Sequence, residues 1–216
     1  MKAAYTGSTW ITYREPEAAK NQLKQAFQEC KFLGYDTVEN FAFSRHYYAD
    51  DPQALVDLTK ECGVDLVNLY GHFTFDVEEA IRIAKEQIDF CAAVGVKWYN
   101  CQNAGFGDDG PSERPTNPEM LDKMCYVANT VGAYAKEKGV TLCFHPHYGT
   151  CVFWQSDIDY FAEHTNPDYV SFCFDTAHTT LAGMDPAALI RQYGSRVAYM
   201  HLKDVDTYAL SKAEGR

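Results

Sequence analysis

The chain has 216 residues, which is enough for one domain with a sizeable hydrophobic core. Hydrophobic residues make up 46% of it and charged residues 23%, the balance of an ordinary globular protein. The formal net charge of −11 repels phosphate backbones and anionic lipid, so nucleic acids and membranes are poor partners and small polar molecules remain as ligands. The sequence has no run of 18 apolar residues and no apolar signal core near its start, and we expect a cytoplasmic protein.

Eight cysteines are spread over the chain, and their context favours free thiols over disulfides. No Cys-x-x-Cys pair occurs, and most of the cysteines lie within apolar stretches. In a protein expected in the reducing cytoplasm, such residues are usually buried thiols. We therefore predict no disulfide among Cys30, Cys62, Cys91, Cys101, Cys125, Cys143, Cys151 and Cys173.

Seven short apolar runs alternate with amphipathic helical patterns along the chain. The predicted strands are Lys2 to Tyr5, Thr37 to Phe41, Leu66 to Tyr70, Lys97 to Asn100, Thr141 to Phe144, Tyr169 to Phe174 and Val197 to Leu202. The predicted helices are Pro16 to Leu33, Pro52 to Cys62, Val77 to Val94, Pro118 to Lys138, Gln155 to His164 and Pro186 to Tyr193. This alternation is typical of βα units that build a parallel sheet.

Chemical signals mark several of the helix boundaries. Asp51, Asn117 and Asp185 each precede a proline, so each can cap a helix whose first turn holds that proline. Left-handed residues are expected where a glycine follows a helical pattern, at Gly34, Gly63, Gly95 and Gly139.

Two architectures fit this alternation, a doubly wound open sheet and a (β/α)8 barrel. No GxGxxG or Walker sequence follows the first strand, which disfavours the nucleotide-binding form of the open sheet. We predict that residues 1–216 form a single TIM-barrel domain of the α/β class that lacks its last βα unit, because a complete barrel typically needs about 250 residues. The longest loop, Ala104 to Asn117, follows the fourth strand and is predicted to be a lid.

Histidines and carboxylates concentrate where the last three strands end. His145 follows the fifth predicted strand, Asp175 follows the sixth, and His201 lies near the end of the seventh. The carboxyl ends of parallel barrel strands meet on one face, and imidazole and carboxylate are the usual ligands of divalent transition metals. The three residues therefore predict a metal site, although each taken alone could be a hydrogen-bonded polar residue at a strand end.

Other polar residues near the same rim are candidates for catalysis and for substrate contacts. His147 and Lys203 lie two residues beyond His145 and His201, on the same side of an extended chain, and are the predicted acid or base. His147 could also be a second histidine ligand of the metal or a substrate contact. Lys203 could instead form an ion pair with Asp204 or another carboxylate. Substrate contacts are predicted for a further set, each of which ordinary capping or rim packing could also explain: Glu39, His72, His178 and Trp10.

Three segments resemble the xylose isomerase-like barrel superfamily of sugar phosphate isomerases and epimerases. They run from Gly139 to Thr150, from Phe174 to Pro186 and from Arg196 to Val205. The His-Pro-His-Tyr-Gly-Thr sequence in the first segment is most similar to the inosose dehydratase branch. The resemblance implies a divalent metal at the carboxyl face of the barrel, manganese first, with cobalt, iron, zinc or magnesium as alternatives.

The resemblance also assigns ligand positions. By it, Asp175 and His201 take the metal positions of strands six and seven, while His145 stands where many members have a glutamate. The usual fourth ligand, a glutamate on strand eight, has no counterpart in this sequence. The chain would then be shorter than the natural protein, a degenerate member, or completed by a partner; the first interpretation is preferred.

The predicted function is metal-dependent proton transfer next to the carbonyl of a small sugar or polyol, through an enediolate. Returning the proton elsewhere gives isomerisation or epimerisation, whereas expelling a β-hydroxyl gives dehydration, as in an inosose dehydratase. A metal-dependent phosphodiesterase of the apurinic endonuclease type is disfavoured by the charge of −11. A non-catalytic barrel remnant that binds a sugar or a partner is the third alternative, and a homo-oligomer would cover its open edge.

Overall fold

The computed structural model describes residues 2–10, 15–103, 117–206, 208–209 and 212, with the backbone alone for residues 8, 9 and 43. Seven parallel strands form one continuous sheet within these ranges. Of the predicted lid, only Asn117 falls inside them. The strands are β1 (Tyr5–Thr6), β2 (Thr37–Phe41), β3 (Asp65–Phe73), β4 (Trp98–Asn103), β5 (Thr141–Phe144), β6 (Val170–Asp175) and β7 (Val197–His201).

Helices follow most of the strands. They are α1 (Pro16–Phe32), α2 (Arg45–Tyr48), α3 (Pro52–Cys62), α4 (Val77–Ala93), α5 (Pro118–Glu137), α6 (Gln155–His164), α7 (Thr176–Leu181) and α8 (Pro186–Tyr193). Short 3-10 turns cover Gly7–Trp10, Ala42–Ser44 and Gly194–Arg196. The sequence did not predict α2 and α7, because helices of four and six residues are too short to show a helical hydrophobic period.

The strands lie in the order in which they occur in the chain, from β1 to β7, and each neighbouring pair is parallel. A doubly wound sheet reverses its strand order at a switch point, so this sequential order excludes that architecture. The sheet is also curled, because Glu39 on β2 reaches His201 on β7 across five strand positions. The prediction of a TIM-barrel arrangement is therefore confirmed, with seven strands in the described residues.

The bounds of β2 and β5 are as predicted, those of β6 and β7 differ by one residue, and the larger differences are in β1, β3 and β4. β3 and β4 each run three residues further, because the segment after Tyr70, which contains a glycine and a histidine, pairs residue by residue with the mostly polar segment after Asn100. Hydrophobicity alone does not reveal strand residues of that kind. β1 is Tyr5–Thr6 rather than Lys2 to Tyr5, since only these two residues pair with β2.

The predicted helix boundaries are confirmed by their hydrogen bonds. The side chains of Asp51, Asn117 and Asp185 each accept a backbone N–H from the first turn of α3, α5 and α8. After α3 and α5, Gly63 and Gly139 take positive φ angles of 67° and 72°, which residues with a side chain adopt only at a cost. These caps set where each helix starts and where the chain turns back toward the sheet.

The hydrophobic core lies between the sheet and the helices that cover its outer face. Phe144 of β5 stacks on Phe161 of α6 with ring centroids 4.1 Å apart, and Phe172 of β6 packs near both α6 and α8. All eight cysteines are buried and free, as predicted. None of the described helices combines the length and apolar character that crossing a bilayer needs.

Candidate metal centre

Side chains from five strands converge at the carboxyl edge of the sheet, on its inner face. Glu39 and Tyr70 come from β2 and β3, His145 follows β5, and Asp175 and His201 end β6 and β7. Asp175 and His201 are register partners, so their side chains leave the sheet on the same side. The three residues predicted to bind metal are thus brought together.

The three predicted metal ligands form a small triangle of donor atoms. His145 Nε2 lies 3.2 Å from His201 Nδ1 and 3.7 Å from Asp175 Oδ2, and His201 Nδ1 lies 3.8 Å from the same Oδ2. A point equidistant from the three atoms lies about 2.1 Å from each, which is the usual length of bonds from zinc to imidazole nitrogen and carboxylate oxygen. The donor set and its spacing therefore fit a divalent transition metal.

Asp175 is fully buried and its carboxylate is held from two sides. Its Oδ1 accepts the backbone N–H groups of Ala177 and His178 at the start of α7. Burial alone would raise the pKa of Asp175, but the neighbouring His145 ring, the Lys203 ammonium group and the backbone N–H of His178 hold it well below its ordinary value. The carboxylate is therefore ionised at neutral pH, as a metal ligand must be.

The neighbouring histidines are neutral at neutral pH. Burial lowers the pKa of His145 to about 3 and that of His178 to about 4, because a charged imidazolium is poorly solvated inside the protein. Burial also lowers the pKa of His147. Each ring thus offers an unprotonated nitrogen at pH 7.

His147 and His178 form a second layer above the triangle. Their ring centroids are 3.7 Å apart, and each ring lies within about 5.5 Å of the His145 ring. His147 Nδ1 is 2.7 Å from the carbonyl oxygen of Tyr148, so Nδ1–H donates there and Nε2 keeps its lone pair. The prediction that His147 shares a side of the chain with His145 agrees with this packing.

Lys203 is tied to the same carboxylate as the two histidines. Its Nζ lies 2.8 Å from Asp175 Oδ2, although half of the lysine side chain is exposed. Thr176 fixes the backbone there, because its hydroxyl donates to the Lys203 carbonyl at 2.5 Å and accepts the Lys203 N–H at 2.9 Å. The ion-pair interpretation of Lys203 thus has Asp175, not Asp204, as its partner.

The remaining predicted substrate residues differ in where they lie. Glu39 is buried and its Oε2 is 3.2 Å from His201 Nε2. His72 lies exposed near the end of β3, two residues after an inward-facing tyrosine. Trp10 packs on α1, where its Nε1–H donates to Glu29. Among the described residues, its contacts do not include the three predicted metal ligands. Substrate contacts by these residues stay predictions.

The sequence did not reveal three residues near the predicted ligands, which are Tyr70, Gln102 and Cys173. The hydroxyl of Tyr70 lies 2.8 Å from His145 Nδ1 and donates to Gln102 Oε1 on β4. Cys173 is buried on β6, with its sulfur within 4.8 Å of donor nitrogens of His145 and His201. Period-two alternation from known site residues on β3 and β6 would have pointed to Tyr70 and Cys173.

The chain is similar to several known proteins. The chain is 30% identical over 221 aligned positions to an inosose dehydratase of Bacillus cereus, an alignment that covers 95% of the chain and 71% of that protein. A D-allulose 3-epimerase from Methylomonas sp., solved with D-allulose, has a TM-score of 0.76 at 18% identity and covers 94% of this chain and 73% of its own. The IOLI protein with a binding zinc atom has a TM-score of 0.73 at 18% identity, with the same two coverages of 94% and 73%.

The family assignment rests on most of the chain. Residues 27–213 match the model of a single family, and this span contains every residue of the donor triangle. The sequential parallel sheet agrees with the fold of that family. The chain belongs to the xylose isomerase-like TIM barrel family.

Proposed function

We propose that this chain is a divalent-metal-dependent enzyme that removes a proton next to the carbonyl of a keto-sugar or keto-polyol, as an isomerase or epimerase. The donor triangle of His145, Asp175 and His201 carries the proposal, because two imidazole nitrogens and an ionised carboxylate oxygen surround one point. The names of its relatives, a dehydratase and an epimerase of small polyhydroxy compounds, support the same substrate class.

His145, Asp175 and His201 would hold the metal. Manganese is the first choice from the family resemblance, whereas two nitrogen donors suit zinc, cobalt or iron at least as well. When bound, a divalent cation supplies a Lewis acid that makes the α-hydrogen of a ketone more acidic and stabilises the enediolate. The negative field of Asp175 and Glu39 at this buried edge favours a cation there.

His147 and Lys203 are the proposed proton-transfer residues. His147 is neutral and its Nε2 lone pair is free to take a proton, because its Nδ1–H is committed to the Tyr148 carbonyl. The Nζ of Lys203 lies 2.8 Å from Asp175 Oδ2, and this lysine would donate a proton to an oxygen of the substrate. His178, beside His147, would orient hydroxyl groups.

The fate of the enediolate separates two candidate reactions. Protonation on another face or carbon yields an epimer or isomer. Loss of a hydroxyl group from the β-carbon, with a proton from an acid such as Lys203, releases water and yields a dehydrated product. The 30% identity to an inosose dehydratase over 95% of this chain favours dehydration as the second candidate.

Proton exchange in D₂O tests the proposal without knowledge of the final product. Manganese-loaded protein is incubated with a ketohexose or with a keto-inositol, and ¹H NMR follows the α-proton; Asp175→Asn is the control. We expect loss of the α-proton signal with one substrate class and not with the control. Exchange without water loss supports an isomerase or epimerase, water loss supports a dehydratase, and no exchange by metal-loaded protein with either class would contradict the proposal.

A further inference from the structure

The hydrogen bonds of Tyr70 fix where the ring proton of His145 lies. A tyrosine hydroxyl has one proton, and that proton points to Gln102 Oε1, which can only accept. The contact of 2.8 Å between the Tyr70 oxygen and His145 Nδ1 must therefore use the proton on Nδ1. A neutral ring with its proton on Nδ1 leaves the lone pair on Nε2, the nitrogen that faces the triangle.

Glu39 fixes the proton of His201 in the same way on the other side. Its carboxylate oxygen lies 3.2 Å from His201 Nε2, and a carboxylate accepts hydrogen bonds, so the proton lies on Nε2. The lone pair of His201 is then on Nδ1.

Together, these hydrogen bonds bring the lone pairs of the two histidines face to face, and a bound cation would remove the repulsion between them. Both anchors turn a lone pair toward the same point, with the two nitrogens 3.2 Å apart and the Asp175 carboxylate beside them. Facing lone pairs repel each other unless a positive charge is placed between them. Anchored ring nitrogens opposite a metal are a known way to orient histidine ligands.

We propose that Tyr70 and Glu39 are positioning residues that fix the tautomers of His145 and His201 for metal binding, with Gln102 setting the direction of the Tyr70 hydroxyl. This inference rests on the proposed metal site. It gives Glu39 a role through His201, in addition to the predicted contact with substrate. The residue at position 102 matters as well, because a hydrogen-bond donor there would turn the Tyr70 hydroxyl proton toward His145 Nδ1 and move the His145 proton to Nε2.

Two measurements on the intact chain test the proposal, and neither uses turnover. Long-range ¹H–¹⁵N NMR of histidine-labelled, metal-free protein reports which nitrogen of His145 carries the proton. Competition with a chromophoric chelator reports the affinity for Zn²⁺. We expect the Nδ1–H tautomer in the wild type and, in Tyr70→Phe, zinc affinity lower by about 10- to 100-fold, the usual effect of removing a partner of a ligand histidine.

Matched variants separate positioning from general damage. Tyr134→Phe removes another tyrosine hydroxyl that bonds a side chain, Asp89 on α4, and should leave zinc affinity unchanged. Gln102→Leu frees the Tyr70 proton for His145, so the ring should switch to the Nε2–H tautomer even if Tyr70→Phe does not fold.

The outcomes distinguish this proposal from the metal site on which it rests. If the wild type binds no zinc, the proposed metal site fails, and the NMR spectra of the wild type and Gln102→Leu still decide the tautomer claim. An Nε2–H tautomer of His145 in the wild type, or no switch in Gln102→Leu, would overturn the inference. Zinc affinity of Tyr70→Phe within twofold of a zinc-binding wild type would also overturn it.

Discussion

Lys203 Nζ lies 2.8 Å from Asp175 Oδ2, the same carboxylate oxygen that faces His145 and His201. The ammonium group thus occupies one side of the oxygen proposed to bind metal. Substitution of Lys203 by an uncharged residue makes the site more negative and leaves the three proposed ligands themselves unchanged. Lys203 therefore offers a way to separate the two proposed tasks of the site, which are binding the cation and moving the proton.

Lys203→Met is expected to raise metal affinity and lower turnover. Loss of the nearby positive charge should tighten Mn²⁺ or Zn²⁺ binding by about tenfold, less than an unscreened Coulomb energy would give because the lysine is half exposed. Turnover should fall by about 100-fold or more if Lys203 transfers a proton. Chelator competition and α-proton exchange measure the two effects.

Lys123→Met is the control for the loss of one lysine charge. Lys123 pairs with Glu119 on the surface of α5, away from the donor triangle. Its removal should change neither metal affinity nor turnover. Unchanged or weaker metal binding in Lys203→Met would show that the ion pair with Asp175 does not oppose a bound cation.

Acid should destabilise the metal-free protein below about pH 6.5, the ordinary pKa of histidine. Folding lowers the pKa of His145 to about 3 and of His178 to about 4, so between these values and 6.5 the unfolded chain binds protons that the folded chain does not. The free energy of unfolding therefore has its full value above about pH 6.5. Below that pH it decreases by up to about 1.4 kcal/mol per pH unit for each histidine. Asp175 lowers the stability further below about pH 4, because its pKa is lowered in the folded protein and only the unfolded chain then binds a proton there.

Urea unfolding in EDTA at several pH values between 4.5 and 7.5, chosen roughly to span this window, measures the effect. His145→Gln should flatten the dependence, because the variant no longer has a buried imidazole at this position that must stay neutral. A free energy of unfolding that stays constant or rises as the pH is lowered through this window would contradict the proposed burial of neutral histidines.

Gly132→Ala should destabilise the fold by about 1–3 kcal/mol, as overpacking of a tight core contact usually does. Gly132 lies on α5 where a Cβ would come within 2.6 Å of the carbonyl oxygen of Tyr169, the residue directly before β6. Backbone at this point cannot move without shifting β6, which carries Asp175. Chemical denaturation of the variant and the wild type measures the difference.

Gly194→Ala is the matched substitution for that experiment. Its φ is −47°, and a Cβ there would meet nothing within 4 Å, so stability should stay within about 0.5 kcal/mol of the wild type. Equal effects of the two substitutions would mean that α5 does not pack on the sheet as closely as described.

The fold was largely predictable from the sequence because its signals are local. Apolar runs mark the strands, and capping residues such as Asp51 and glycines such as Gly63 mark the helix ends within a few residues. The sequential strand order was not decided by these signals, which also fitted a doubly wound sheet. It depends on which strands pair, and pairing is a long-range property.

The candidate site was predictable where chemistry and position coincide. Residue type and position at a strand end both indicated His145, Asp175 and His201 in the sequence, and the structure places the three side chains together. Tyr70 was not predicted, because its proposed role depends on a contact with His145, which lies 75 positions away in the sequence. The Glu39 bond to His201 spans 162 positions, and no local pattern indicates such a partner.

Elemental analysis of the purified chain beside His201→Ala is the most direct test of the proposed metal centre. We expect one equivalent of Mn, Zn, Co or Fe in the wild type, or uptake of one on titration. We expect at least a large loss of that metal in the variant, with both proteins folded by circular dichroism. A folded wild type that takes up no divalent metal, or a variant that keeps the same metal content, would contradict the claim that His145, Asp175 and His201 form a metal centre.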